Sequence, residues 1–79
     1  MSPTRRSHLE AVRTAAATGH IEDRDLVSEI RDSMYRAAAV FLYEGEVSSE
    51  FIEASEELRF ASDLSRAFAG RLSAQKIHD

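Results

Sequence analysis

The side chains in this chain that could do chemistry are histidines, carboxylates and arginines, and their spacing argues against most of that chemistry. His8, His20 and His78 lie in three different segments, and none shares ligand spacing with a pair of carboxylates. A metal centre needs convergent ligands, so no metal is expected and the histidines read as surface groups. The sequence contains no cysteine, which removes disulfides, zinc thiolates and CxxC redox pairs. It also lacks a glycine-rich phosphate loop, a nucleophile elbow and a His-Glu-x-x-His pair, so no cofactor is expected.

Small helical dimers can still be enzymes, as all-helical chorismate mutases are. Such a site needs several cations converging on a dicarboxylate. The arginines here are scattered, most of them three or four residues from an acid, and the apolar stripes carry no arginine–glutamate group. The expectation is a protein without catalytic activity.

Charge is the next signal. Net charge is -4 overall, and residues 1–20 hold Arg5, Arg6 and Arg13 against Glu10, so residues 21–79 carry -6. Glu44, Glu46, Glu50, Glu53, Glu56 and Glu57 form a run with no base among them. Such a surface repels phosphate and attracts basic protein, although carboxylates at a helix start also simply favour the helix dipole. Three arginines on the first segment are a thin footprint for nucleic acid. Direct DNA binding is therefore not expected.

The elements that must position these groups are helices. Alternating apolar runs are absent, and apolar residues recur at spacings of three and four. Ser2 reads as an N-cap with Pro3 in the first turn and Gly19 as the stop, giving a first helix over residues 1–19. Its stripe of Leu9, Val12 and Ala16 is narrow and has Arg5 on the same side, which predicts weak docking and a mobile helix. A second helix opens near Asp23 and closes before Gly45, and a third begins at Ser48 or Ser49. With Ser48 as cap, Val47 and Ile52 would form a hydrophobic staple. Gly70 marks either an early end of the third helix or a close crossing.

A short Gly45–Ser48 link makes residues 22–77 an antiparallel helical hairpin. The fold expected is all-α, one domain over residues 1–79: a long hairpin with a short N-terminal helix. The stripe on helix two is Leu26, Val27, Ile30, Met34, Ala37, Ala38 and Phe41, widened by Ser33, Val40 and Leu42. That on helix three is Phe51, Ala54, Leu58, Ala61, Phe68 and Leu72. Neither stripe can be covered by one hairpin, so homodimerisation into a four-helix bundle is expected. On a helical wheel Phe60 falls outside the helix-three stripe, with Leu64 at its edge and Glu53, Glu56, Glu57 and Asp63 around it. An apolar anchor with a charged rim is how interface hot spots tend to be built, so these six residues are the expected partner-binding surface. The competing reading buries Phe60 in the bundle or under helix one. Tyr35 and Tyr43 are weaker candidates of the same kind.

Phe51-Ile52-Glu53-Ala54-Ser55 followed by Glu57 resembles the TraM family, small helical quorum-sensing antiactivators, with likeness in outline over residues 22–73. The resemblance implies a dimerising helical hairpin that binds a LuxR-type transcription activator, mainly on its DNA-binding domain, and blocks DNA recognition. This chain departs from that pattern in its length, its tight link and its arginine-bearing first helix.

Three other functions compete: a mobile-element inhibitor of the anti-CRISPR or DNA-mimic type, a purely structural helical assembly, and a DNA-binding repressor using Arg5, Arg6 and Arg13 of the first helix. No apolar run approaches the ~20 residues of a membrane span, and no apolar h-region follows the N-terminal arginines. A cytoplasmic location without membrane association is the expectation.

Overall fold

The computed structural model describes residues 1–43 and 49–78, with side chains described over 1–42 and 51–75. Three helices make up these residues: α1 Pro3–Thr18, α2 Asp23–Tyr43 and α3 Ser49–His78. The order is that of an all-α hairpin preceded by a short helix, and no strand occurs among the described residues.

Local chemistry accounts for the boundaries. The Ser2 hydroxyl accepts a hydrogen bond from the Arg5 amide at 3.1 Å, and Pro3 occupies the first turn, where its missing N–H leaves no helix bond unmade. Gly19 closes α1 in the left-handed region (φ 75°) with its amide bonded to the Ala15 carbonyl. Asp23 and Asp25 sit in the first turn of α2, where the helix dipole favours them. At Gly70 α3 continues unbroken, and nothing lies within 4 Å of where a Cβ would stand. Gly70 is therefore not a stop, and no described element of the same chain crosses closely at it. The expected Gly45–Ser48 link, and the staple through Val47 and Ser48, lie outside the described residues.

The chain runs up, down and up. Arg5 meets Glu57 and Arg13 meets Asp63, so α1 runs parallel to α3. Arg5 meets Ser33 and His8 meets Glu29, so α1 is antiparallel to α2. The core cluster joins Leu9 and Val12 of α1, Leu26 of α2, and Phe60 and Leu64 of α3. Burial of each such side chain contributes about 1.5–3 kcal/mol. Ala37, Ala54 and Ala61 are buried as well, small residues that suit close approach of helices. Ile30 and Phe68 are half-buried against the cluster.

This packing divides the stripes read from the sequence between the interior of the chain and its surface. Ala37, Ala54 and Ala61 are buried as expected, and Phe51 is half-buried, but Met34, Phe41, Leu58 and Leu72 are exposed at 54, 44, 42 and 43 %. Phe60, placed outward by the wheel, is 0 % exposed, and Leu64 is 1 % exposed. Both helices are rolled by roughly 50–60° relative to the expected stripes, at 100° per residue. The cause is α1. Its Leu9 and Val12 give Phe60 and Leu64 an apolar partner within the same chain, and the opposite flank of the hairpin is left uncovered. The narrow stripe expected for the first helix is observed: Leu9 and Val12 are its buried residues, and both enter the core.

Candidate functional site

The acids expected to greet a partner are held by α1. Arg5 grips Glu57 with two hydrogen bonds, Nε to Oε1 and Nη2 to Oε2, each 2.8 Å. The same Nη2 donates to the Ser33 hydroxyl at 3.1 Å. Ser33 is fully buried and Glu57 nearly so. An arginine on the apolar stripe of α1 is thus the partner of a glutamate on the inner face of α3. This corrects the reading that no arginine–glutamate group joins the apolar faces.

Further along, Arg13 Nη2 stands 3.2 Å from Asp63, and its guanidinium lies 5.3 Å from the Phe60 ring centroid, within cation–π range. Arg6 approaches Glu56 at 3.9 Å in an exposed setting, worth little by itself. The Met1 amino group pairs with Glu53. All six residues of the sequence-predicted partner surface (Glu53, Glu56, Glu57, Phe60, Asp63 and Leu64) therefore lie together as expected, but beneath or beside α1.

Burial alone would raise the Glu57 carboxyl. Hydrogen bonding by Arg5 and Ser33, with the charges of Arg5 and Arg36, outweighs it and holds the group below the usual carboxylate value of 4.5. The Arg5 guanidinium is pushed up in turn, chiefly by its hydrogen bonds to Glu57. Because the folded pKa of Glu57 is depressed, the unfolded chain takes up its proton first on acidification. The stability the pair contributes is full above the ordinary value and is lost as pH falls through the folded one. Denaturant unfolding of the parent and of Glu57→Gln should differ most near neutrality, and the gap should narrow below pH 4.5. A gap that does not change with pH would mean that Glu57 is not ionised in the fold.

Elsewhere polar pairs fasten the start of α2. Arg71 Nη1 donates to the Ile21 carbonyl at 2.7 Å and to Asp23 at 2.9 Å, and Arg71 Nη2 is buried without a partner. His8 bonds Glu29 at 2.9 Å. His8 and His20 are exposed, and no group of three or more metal-ligating side chains converges among the described residues. His78 falls where side chains are not described, as do Tyr43, Glu44, Glu46 and Glu50.

The second surface is the uncovered flank of the hairpin. Seven-residue steps on α2 connect Val27, Met34 and Phe41, and on α3 Phe51, Leu58, Ser65 and Leu72. Phe41 and Phe51 join the two rows edge to face, with centroids 4.8 Å apart. Met34, Phe41, Leu58 and Leu72 are the exposed apolar members of these rows, and apolar residues spaced by sevens on neighbouring helices are the pattern of a bundle face. Tyr35, exposed at 69 %, lies beyond this row.

Sequence reasoning named both faces, and the structure packs the Phe60 edge under α1, the competing reading of that residue, while the Leu58–Leu72 edge stays exposed in the single chain. The signal that could have told them apart is the match between Arg5, Leu9, Val12 and Arg13 on one helix and Glu57, Phe60, Asp63 and Leu64 on another. Among the described residues no helix is long and apolar enough to cross a membrane. Comparison of the chain with protein-family models, with curated proteins and with solved structures found no match.

Proposed function

We propose that the chain is a small, non-catalytic regulatory protein that works through protein contacts as a homodimer. Its target would be a DNA-binding transcription activator of the LuxR type, held off its DNA. The observation that carries the protein-binding part is the uncovered apolar flank of Met34, Phe41, Leu58 and Leu72. Accessible surface is 5688 Å², whereas a compact monomer of 8.8 kDa would expose about 4,800 Å². That excess follows from the elongated outline of the helices, 49 by 22 by 15 Å. Pairing two such flanks would make a four-helix arrangement of α2 and α3 with α1 outside it.

The target class rests on the resemblance of Phe51–Ser55 and Glu57 to the TraM antiactivators. A phosphate mimic is less well supported, because Glu56, Glu57 and Asp63 each face an arginine of α1. A purely structural assembly remains the competitor that a binding experiment separates.

The experiment is a gel shift with LuxR-type activators of the source organism. Preincubation with the chain should release the activator's DNA, and the chain alone should retard no DNA. Activators that stay on DNA at a large excess of the chain would overturn the antiactivator reading while leaving self-association open.

A further inference from the structure

We propose that the α3 face beneath α1 is a docking groove for a basic amphipathic helix of a partner protein, and that α1 is an internal occupant which such a helix displaces. The groove is not identified by its acids alone. It is already filled by a helix of this chain, and that helix specifies the ligand chemistry: arginine at one position, apolar residues four and seven positions on, and arginine at the eighth (Arg5, Leu9, Val12 and Arg13). Each charge meets its complement, Arg5 on Glu57 and Arg13 on Asp63, with Leu9 and Val12 against Phe60 and Leu64 between them. Basic helices of this kind occur where proteins meet nucleic acid, so the inference rests on the reading of the chain as a binder of such proteins.

The way α1 is held makes it replaceable. Only Leu9 and Val12 of its sixteen residues are buried. Among the described residues its side-chain hydrogen bonds to α2 are two, His8 to Glu29 and Arg5 to Ser33. Open clefts flank the helix on both sides. A cleft of about 570 Å³ opens between α1 and α2 at Thr4, His8 and Glu29, and another of about 360 Å³ opens between α1 and α3 at Glu10, Glu56 and Arg59. A helix with bulkier side chains would gain contacts there that α1 does not make. Displacing α1 would uncover Leu26, Phe60 and Leu64, an apolar anchor ringed by Glu53, Glu56, Glu57 and Asp63.

The probe is a fluorescent peptide with the sequence of residues 1–20, added to the full-length parent and to a full-length variant with Leu9→Ser and Val12→Ser. In the parent, α1 competes at the high effective concentration of a tethered segment. The variant should therefore bind the peptide at least about tenfold more tightly than the parent. Binding should weaken as salt is raised and vanish when Glu57→Lys and Asp63→Lys are added. A variant that stays helical and binds no better than the parent overturns the proposal.

Should the variant unfold, hydrogen exchange on the parent decides. Amides of α1 exchanging at least about tenfold faster than those at the centres of α2 and α3 would support a displaceable helix, and equal protection would overturn it. Loss of the parent's self-association in the variant would assign the groove to α1 of a second copy, and the partner-protein assignment would fall. No activator is present in these measurements, so their failure is separate from failure of the antiactivator reading.

Discussion

Phe60→Ala is expected to lower the unfolding free energy by about 3–5 kcal/mol, as truncation of a buried phenylalanine does. A domain of 79 residues has roughly 4–12 kcal/mol in total, so the variant should lose at least about a quarter of its stability. The size of the effect follows from position. Phe60 is fully buried, belongs to the cluster with Leu9, Val12, Leu26 and Leu64, and has the Arg13 guanidinium over its face. Removing the ring would leave a cavity that three separate helices cannot easily close. Urea unfolding followed by circular dichroism measures it. An exposed anchor would behave differently, with stability within ~0.5 kcal/mol of the parent and only partner binding lost.

The second large effect belongs to the Arg5–Glu57 pair. Removing one partner of a buried ion pair strands the other charge, which costs about 3–5 kcal/mol. Arg5→Ala and Glu57→Ala should each approach the lower end of that range, because the Arg5 side chain keeps 13 % of its exposure and Glu57 7 %. Changing both together to Leu should cost much less than the two single changes added, because no unpaired charge remains and the replacements are apolar. Additive losses would show that each side chain acts alone and that the bidentate contact is incidental. Such a pair does more for register than for stability: with Arg5 on Glu57, α1 cannot slide along α3 without burying a bare charge.

Most of the fold was legible in the sequence because its signals are local. Ser2, Pro3 and Gly19 delimit α1 through interactions within four residues of each end, and the spacing from Leu26 to Phe41 defines α2 without reference to anything else. The roll of α2 and α3 about their own axes was not legible. Helix α3 has apolar residues on two edges, Phe60 and Leu64 on one, Leu58 and Leu72 on the other. Periodicity ranks the second edge first because it repeats every seven residues. What selects the first edge is a set of partners about 50 residues away in sequence, and no window along one helix contains both members. Two core positions also run against composition rules, since Ser33 and Glu57 are buried polar groups whose burial makes sense only once Arg5 is beside them. The candidate site followed the same logic: its six residues do cluster, while their covering by α1 depended on a helix whose narrow stripe read as weak.

The central claim is that the flank left bare by this packing is a protein-binding face, and its simplest occupant is a second copy. Sedimentation velocity of the parent and of the Met34→Glu, Leu58→Glu double variant, over a range of concentrations, tests it most directly. Both positions are exposed in the single chain, so the variant should keep its helical content and unfolding midpoint. The expected result is a dimer for the parent and a monomer for the variant. A parent that remains monomeric up to millimolar concentration, or a variant that dimerises as well as the parent, would contradict the claim.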